Sequence, residues 1–316
     1  MRVDWLYKAV VGFRNSLFDR EILRARRLAW PVVSVGNISV GGSGKTPFVI
    51  MLGELLAGRG IWFDVLSRGY RRSSRGVLTV QANGSPEEFG DEPLLIARTL
   101  SCPVIVAEDR HSGGLEAEEH YAGAESNPMH LLDDGFQHRQ LHRDFDIVLL
   151  NEHDITDKLL PSGRLREPLG SVARADAVVV DKGFPVERLP KGNFQIWRAE
   201  RSLKVPAINA HVVAFCGIAR PKRFSAELRQ HGLDVVREIV FRDHHRYTDT
   251  DIQELTAAQG LFPGSRLVTT EKDAINLGPH FTKLNPIVIP MRITLTHPDA
   301  ALEHVLSTVA ERRRYA

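Results

Sequence analysis

Cysteine is scarce: Cys102 and Cys216 are the only two in 316 residues. They lie far apart and have no metal-type spacing, which excludes a disulfide framework and fits buried thiols in a reducing compartment. No run approaches the eighteen apolar residues that span a bilayer. The N-terminus also lacks the uninterrupted apolar core of a signal peptide. Neither sign of charge dominates, with 41 Lys and Arg against 39 Asp and Glu. A net charge of +2 argues against a dedicated nucleic-acid binder, which carries a clustered basic surplus. There is no internal repeat and no low-complexity tract. The chain is 43% hydrophobic and 25% charged, ordinary for a globular protein, and is long enough for two domains. A cytosolic chain of two units is expected.

The most informative stretch runs from Val32 to Pro47. A β-branched apolar run leads into a glycine-dense turn, then Gly44-Lys45-Thr46, then a helical pattern from Phe48 to Ala57. Strand, glycine loop, Gly-Lys-Thr and helix in that order make a phosphate-binding loop. Its expected members are Ser39, Val40, Gly41, Gly42, Ser43, Gly44, Lys45 and Thr46. Glycines let the backbone turn its N–H groups toward anionic oxygens, and the helix N-terminus adds positive charge. Lys45 reaches the β- and γ-phosphates, and the Thr46 hydroxyl suits Mg²⁺. The motif asks for glycine five positions before the lysine, where this chain has Ser39. A nucleoside triphosphate site is expected.

Residues 4–18 read as an amphipathic helix with Trp5, Leu6, Ala9, Val10, Phe13 and Leu17 within one arc. Residues 1–30 carry seven Lys and Arg against three acids. That combination suits either an anionic membrane surface or packing on the domain core. After the loop helix, the strand Ile61–Leu66 delivers Ser67-Arg68-Gly69-Tyr70-Arg71-Arg72 at its C-terminal end, where open α/β sheets place their sites. Arg68, Arg71, Arg72 and Arg75 either bind phosphate or decorate a solvated loop. Phe89-Gly90-Asp91-Glu92-Pro93 opens a helix; its two acids are dipole partners, metal ligands or a proton acceptor. Leu131-Leu132-Asp133-Asp134-Gly135 is an apolar strand ending in aspartate, which is either the form of a carboxylate that sits beside Mg²⁺ or ordinary turn chemistry. Further strands are expected at Pro103–Ala107, Asp146–Leu150 and Ala177–Asp181. The proline-bounded loop Leu160–Pro168, with Arg164, Arg166 and Glu167, either touches phosphate or serves as a connector.

The pattern restarts near residue 206, giving a first unit with the phosphate-binding loop over 1–205 and a smaller α/β unit over 206–316. The second unit has a strand and turn over His211–Ala219 followed by a helix through Arg229, with further strands at Val235–Phe241 and Arg266–Thr270 separated by a helical stretch over Asp249–Gln259. Asp243-His244-His245 lacks a zinc spacing and holds either structural histidines or one that orients a carboxylate. Thr269-Thr270-Glu271-Lys272-Asp273 reads as a helix cap. The fold class is α/β: a mostly parallel sheet of the P-loop NTPase type, with helices on both faces, plus the smaller domain.

Taken together, these segments resemble the tetraacyldisaccharide 4'-kinase family, the lipid A 4'-kinases of Gram-negative bacteria. The resemblance rests on Val35-Gly36-Asn37 with Gly41–Pro47, Ser67-Arg68-Gly69-Tyr70, Gly90-Asp91-Glu92-Pro93 and Leu132–His138. It continues through Gly163–Pro168, Phe215-Cys216-Gly217-Ile218-Ala219, Asp243-His244 and Thr269–Asp273. A non-glycine at position 39 fits the family, whereas Arg71 stands where its pattern has glycine. The resemblance implies transfer of the ATP γ-phosphoryl group to the 4'-hydroxyl of a tetraacylated disaccharide 1-phosphate. It implies work at the cytoplasmic face of the inner membrane, with the N-terminal helix touching lipid. It makes Asp91 the base and His244 its partner across the domain cleft, with Lys45 on the phosphates. Mg²⁺ then sits among Thr46, Glu92, Asp133 and Asp134, and Arg68, Tyr70 and Arg166 face substrate. The competing reading is a P-loop NTPase switch or chaperone, which needs no acceptor.

Overall fold

The computed structural model describes residues 2–123 and 127–314. The chain opens with helix α1 (Arg2–Asp19) and strand β1 (Val32–Asn37), followed by α2 (Lys45–Gly58), β2 (Phe63–Ser67) and β3 (Leu78–Thr79). Next come α3 (Pro86–Phe89), α4 (Asp91–Thr99), β4 (Val104–Val106), α5 (Arg110–His120), β5 (Met129–Asp133) and β6 (Phe145–Leu149). Strands β7 (Ala177–Asp181) and β8 (Gln195–Leu203) precede β9 (Val212–Cys216), α6 (Pro221–Gln230) and β10 (Val235–Val240). The chain closes with α7 (Asp249–Gly260), β11 (Arg266–Thr270), α8 (Glu271–Asn276), α9 (His280–Leu284), β12 (Ile287–Ile289), β13 (Met291–Leu295) and α10 (Pro298–Arg314).

Nine strands form the large sheet in the order β13-β8-β7-β6-β1-β5-β2-β4-β3. Only its two edge pairs, β13 with β8 and β3 with β4, are antiparallel. All six residues of β1 and all five each of β2, β5 and β6 are buried, as parallel strands covered on both faces must be. Their β-branched and apolar residues satisfy that requirement. β1 lies between β5 and β6, and the chain departs from it in opposite directions, so its C-terminal end is the crevice where such sheets bind ligands. The second sheet, β10-β9-β11-β12, is parallel throughout.

The expected division at 205/206 assigns the whole C-terminal tail to the smaller unit, and the tail departs from it. β13 pairs with β8 in the large sheet. Ile293, Leu295, Leu302, Val305 and Val309 share one core with Phe48, Leu52 and Leu56 of α2. The smaller sheet is therefore an excursion from the large one, entered after β8 and left before β13. Helix α1 is also inverted relative to a core helix. Trp5, Leu6, Val10 and Phe13 are exposed, while Asn15 and Phe18 are buried against the domain. Both cysteines are free, and burial pushes each thiol up to about 12.

Candidate active site

At the C-terminal end of β1 the backbone turns through Gly41, Gly42 and Gly44, whose φ values are 78°, 54° and 85°. Only glycine takes such angles routinely. Ser39 does not take a positive φ, so that position requires no glycine. It is buried, and its carbonyl accepts from the Asn37 amide at 2.7 Å. Val40 is partly exposed and donates its N–H to the Arg164 carbonyl at 2.8 Å. Ser43 and Thr46 are buried. Lys45 Nζ donates to Asn37 Oδ1 at 3.1 Å and to Ser43 Oγ at 3.4 Å, and lies 3.5 Å from Asp134 Oδ1. The ammonium is thus held over the loop by neutral oxygens and one carboxylate.

The two aspartates after β5 are in different settings. Asp134 accepts two bonds from Arg166, at 2.9 and 2.7 Å. Burial works against its charge, but Lys45 and Arg166 outweigh burial and hold the carboxyl well below the usual range. Asp133 accepts from Ser67 Oγ at 3.1 Å, while its Oδ1 is buried with no partner. Burial, then the charges of Glu92 and Asp134, push it up to about 7. An orphaned carboxylate oxygen under repulsion from two other acids is where a cation stabilises most. Glu92 instead contacts the Lys272 ammonium from the smaller unit. Burial opposes that ammonium, yet Glu92 and Asp91 raise its pKa. The four expected metal residues therefore divide. Asp133 has a free oxygen, Thr46 lies buried beside the loop lysine, and Glu92 and Asp134 already hold cationic side chains. Among the described residues no three His, Cys, Asp or Glu side chains gather as a closed metal cage. The unpartnered Asp133 oxygen suits Mg²⁺, which takes one or two carboxylates plus phosphate and water.

Asp91 begins α4 after Gly90, whose φ of 91° brings it to 3.1 Å of the Tyr70 carbonyl, measured from where a Cβ would sit. Its carboxylate meets His244 Nδ1 at 2.6 Å across the two units, and a carboxylate only accepts, so the ring nitrogen carries the proton. Burial raises the Asp91 pKa, but the His244 bond, Lys272 and Asn276 outweigh it and hold it at about 2. The Asp91 bond raises the His244 pKa against the opposing effect of burial. His244 sits at φ 57° and Asp134 at φ 52°, left-handed conformations that non-glycine residues adopt at a cost and that cluster at functional sites. The loop bearing His244 is braced by Asp273, which accepts from Gly217 N–H and Tyr247 Oη, each at 2.8 Å.

Tyr70 is half exposed, with its ring edge-on to His244 at 5.6 Å. Arg71 takes φ 62°, a conformation that glycine adopts freely, and donates to the Asp243 carbonyl at 3.1 Å. Arg68 is exposed and makes no ion pair among the described residues. Arg72 serves structure, bonding Val106, Gly76 and Glu108. The Leu160–Pro168 loop is held as a connector by local ion pairs and hydrogen bonds. Arg166 reaches Asp134, and Glu167 accepts from Asn15 of α1 at 2.7 Å and pairs with Arg174 at 2.9 Å. His245 is structural, bonded to Asp251 at 3.0 Å. Thr270 caps α8 as expected, while the adjacent Lys272 reaches Glu92, a contact the capping pattern gave no sign of.

Two arginines outside every expected motif also approach the phosphate loop. Arg201 of β8 and Arg220, which precedes α6, pack against Gly44 and Gly42 respectively. Arg201 shares a strand face with Trp197, Ala199 and Leu203, all buried. An arginine in an inward register position is the signal that reveals it.

The family model for tetraacyldisaccharide-1-P 4'-kinase, LpxK, matches residues 1–311. A tetraacyldisaccharide 4'-kinase of Koribacter versatilis is 47% identical, covering 98% of each chain. One from Aquifex aeolicus is 41% identical over 87% of this chain and 88% of its own. A crystal structure of the "apo" form of Aquifex aeolicus LpxK in complex with ATP superposes with a TM-score of 0.78. It is 36% identical and 97% of each chain is covered. On this breadth of agreement, the chain belongs to the tetraacyldisaccharide-1-P 4'-kinase family.

Proposed function

We propose that this kinase transfers the γ-phosphoryl group of ATP to the 4'-hydroxyl of a tetraacylated glucosamine disaccharide 1-phosphate, giving lipid IVA for lipid A. The observation that carries the reading is the Asp91–His244 bond of 2.6 Å. It stands at the end of the sheet that also bears Lys45 and Asp133. A hydrolytic switch or chaperone has no need of a buried carboxylate–histidine pair facing an acceptor.

Phosphoryl transfer needs positioning and charge stabilisation more than covalent help. The loop amides and Lys45 hold the phosphates; Asn37 and Ser43 in turn fix the lysine. Asp133 and Thr46 are the residues that would hold Mg²⁺, which when bound neutralises charge on the transferring phosphate. Glu92 and Asp134, engaged by Lys272 and Arg166, contribute at one remove by setting the field at Asp133. Asp91 is ionised throughout the neutral range, so it always stands ready to accept a hydrogen bond from the sugar hydroxyl. With so low a pKa it orients that hydroxyl first and takes the proton late, as the new O–P bond forms. His244 aims the carboxylate. Tyr70, exposed beside His244, and the exposed Arg68 suit the disaccharide and its phosphate, with Arg166, held by Asp134, next to them.

The lipid substrate calls for a membrane surface, and α1 supports one. Trp5 is 71% and Phe13 68% exposed on a segment rich in arginine and lysine. No described helix is long and apolar enough to cross a membrane, so the contact is peripheral, at the cytoplasmic leaflet where anionic headgroups attract basic segments. The smaller sheet, carrying His244 and Lys272, closes on the larger one to complete the site. The discriminating experiment follows ATP turnover with and without the acylated disaccharide 1-phosphate, with Mg²⁺ present and chelated. Turnover that requires both supports the reading, and equal hydrolysis without acceptor contradicts it.

A further inference from the structure

Arginine is concentrated against the glycines of the phosphate loop. Arg201 has a side chain only 7% exposed, and among the described residues it forms one ion pair, with Asp181 at 3.6 Å. Its guanidinium carbon lies 3.4 Å from where a Gly44 Cβ would sit, directly beside the N-terminus of α2. Arg220 Nε lies 3.5 Å from the corresponding point on Gly42, and its side chain makes no hydrogen bond or ion pair among the described residues. Arg164 adds a third guanidinium, 3.5 Å from the Gly41 position, and donates to the Val40 carbonyl at 3.1 Å. Arg223, nearby, is satisfied by Glu227 at 2.6 Å.

This arrangement is electrostatically unbalanced. Burial, then repulsion from Arg223 and from one another, lowers the pKa of Arg201, with Asp181 and the more distant Asp154 opposing. Burial and the charges of Arg164 and Arg223 do the same to Arg220. A helix N-terminus and Lys45 add further positive potential to the same loop. Cations gathered at a helix N-terminus are unfavourable unless an anion lies among them, and guanidinium forks match phosphate.

We propose that Arg201 and Arg220 clamp the phosphate chain of the nucleotide, a role separate from that of the loop amides and Lys45. Arg201 belongs to the large sheet and Arg220 to the smaller one. A bound phosphate chain therefore bridges the two units. Ala219, whose Cβ lies 3.5 and 3.4 Å from the Gly41 and Gly42 positions, already seats this turn against the loop. The proposal rests on reading the loop as the nucleotide site.

Equilibrium binding of ATP, ADP and adenosine to the full-length protein tests it, using Arg201→Gln, Arg220→Gln, the double variant and Lys45→Ala. Each arginine variant should bind ATP and ADP about ten- to hundred-fold more weakly and adenosine as the wild type does. The double variant should lose less than the product of the single effects, because both grip one chain. Arg201→Lys should restore part of the loss. Arg220 is only partly buried, so its variant folds even if replacing Arg201 disturbs the core. Wild-type ATP affinity in Arg220→Gln, with Lys45→Ala defective, overturns the clamp and leaves the loop assignment intact. Wild-type affinity in Lys45→Ala overturns both. An equal loss for adenosine would assign the arginines to general structure and also overturn the clamp.

Discussion

At the scale of single residues, the site is a set of carboxylates assigned different tasks by their neighbours. Asp133 and Asp134 are adjacent in sequence, yet one is pushed up to about 7 and the other held low, because Arg166 and Lys45 reach only the second closely. The Asp–Asp pair was legible as a strand-end motif. Its division of labour was not, since that depends on an arginine 32 positions away. The Asp91–His244 pair joins residues 153 positions apart, a juxtaposition only the family resemblance foreshadowed. Its pH dependence follows from the two shifts. Asp91 lies below its ordinary 3.8, so its contribution to stability is full above that value and fades as pH falls toward about 2. His244 lies above its ordinary 6.5, so its contribution is full below 6.5 and fades as pH rises through the raised value. The stability difference between wild type and His244→Ala, measured by urea unfolding, should be largest between about pH 4 and 6.5 and decline on either side. A difference that grows steadily toward pH 9 would contradict the pairing.

At the scale of elements, helices and buried strands were legible where one physical demand dominated. β1, β2, β5, β6 and β7 are buried on both faces and read as apolar runs. β8 did not, because Gln195-Ile196-Trp197-Arg198-Ala199-Glu200-Arg201-Ser202-Leu203 alternates at the border of the sheet and carries three charges. β13 escaped for the same reason. The periodicity of α1 was plain, but periodicity alone does not say which face meets protein. The polar face does so here. Asn15 binds Glu167, Arg14 binds the Gln137 carbonyl at 3.1 Å, and Tyr7 binds the Arg166 carbonyl at 3.1 Å. These bonds tie α1 to the connector beside the phosphate loop, so deleting residues 1–20 would remove site support along with the apolar arc. Point changes separate the two effects. Trp5→Ser with Phe13→Ser should leave the unfolding midpoint nearly unchanged, as for exposed positions. The same pair should weaken sedimentation with anionic vesicles about tenfold or more. Binding at wild-type strength would place lipid contact elsewhere.

At the scale of the whole molecule, the chain inserts a small parallel sheet into a larger one and returns through β13 and α10. A linear reading that divides the sequence once has no means of seeing that return, since the residues that betray it, Ile293 and Leu302, are ordinary core residues anywhere. The topology has a functional consequence. The excursion is anchored to the large sheet at both ends, by β8 and β13, which sets its residues against the crevice. His244, Lys272 and Arg220 ride on it, while Asp91, Glu92 and the phosphate loop stay on the large sheet. The central claim is that closure of these two surfaces assembles a phosphoryl-transfer site around Asp91. Single-turnover transfer from γ-labelled ATP to the tetraacyldisaccharide 1-phosphate, comparing wild type with Asp91→Asn, tests it most directly. Loss of about a hundred- to ten-thousand-fold in rate, with ATP affinity unchanged, is the predicted result; transfer at the wild-type rate by Asp91→Asn would contradict it.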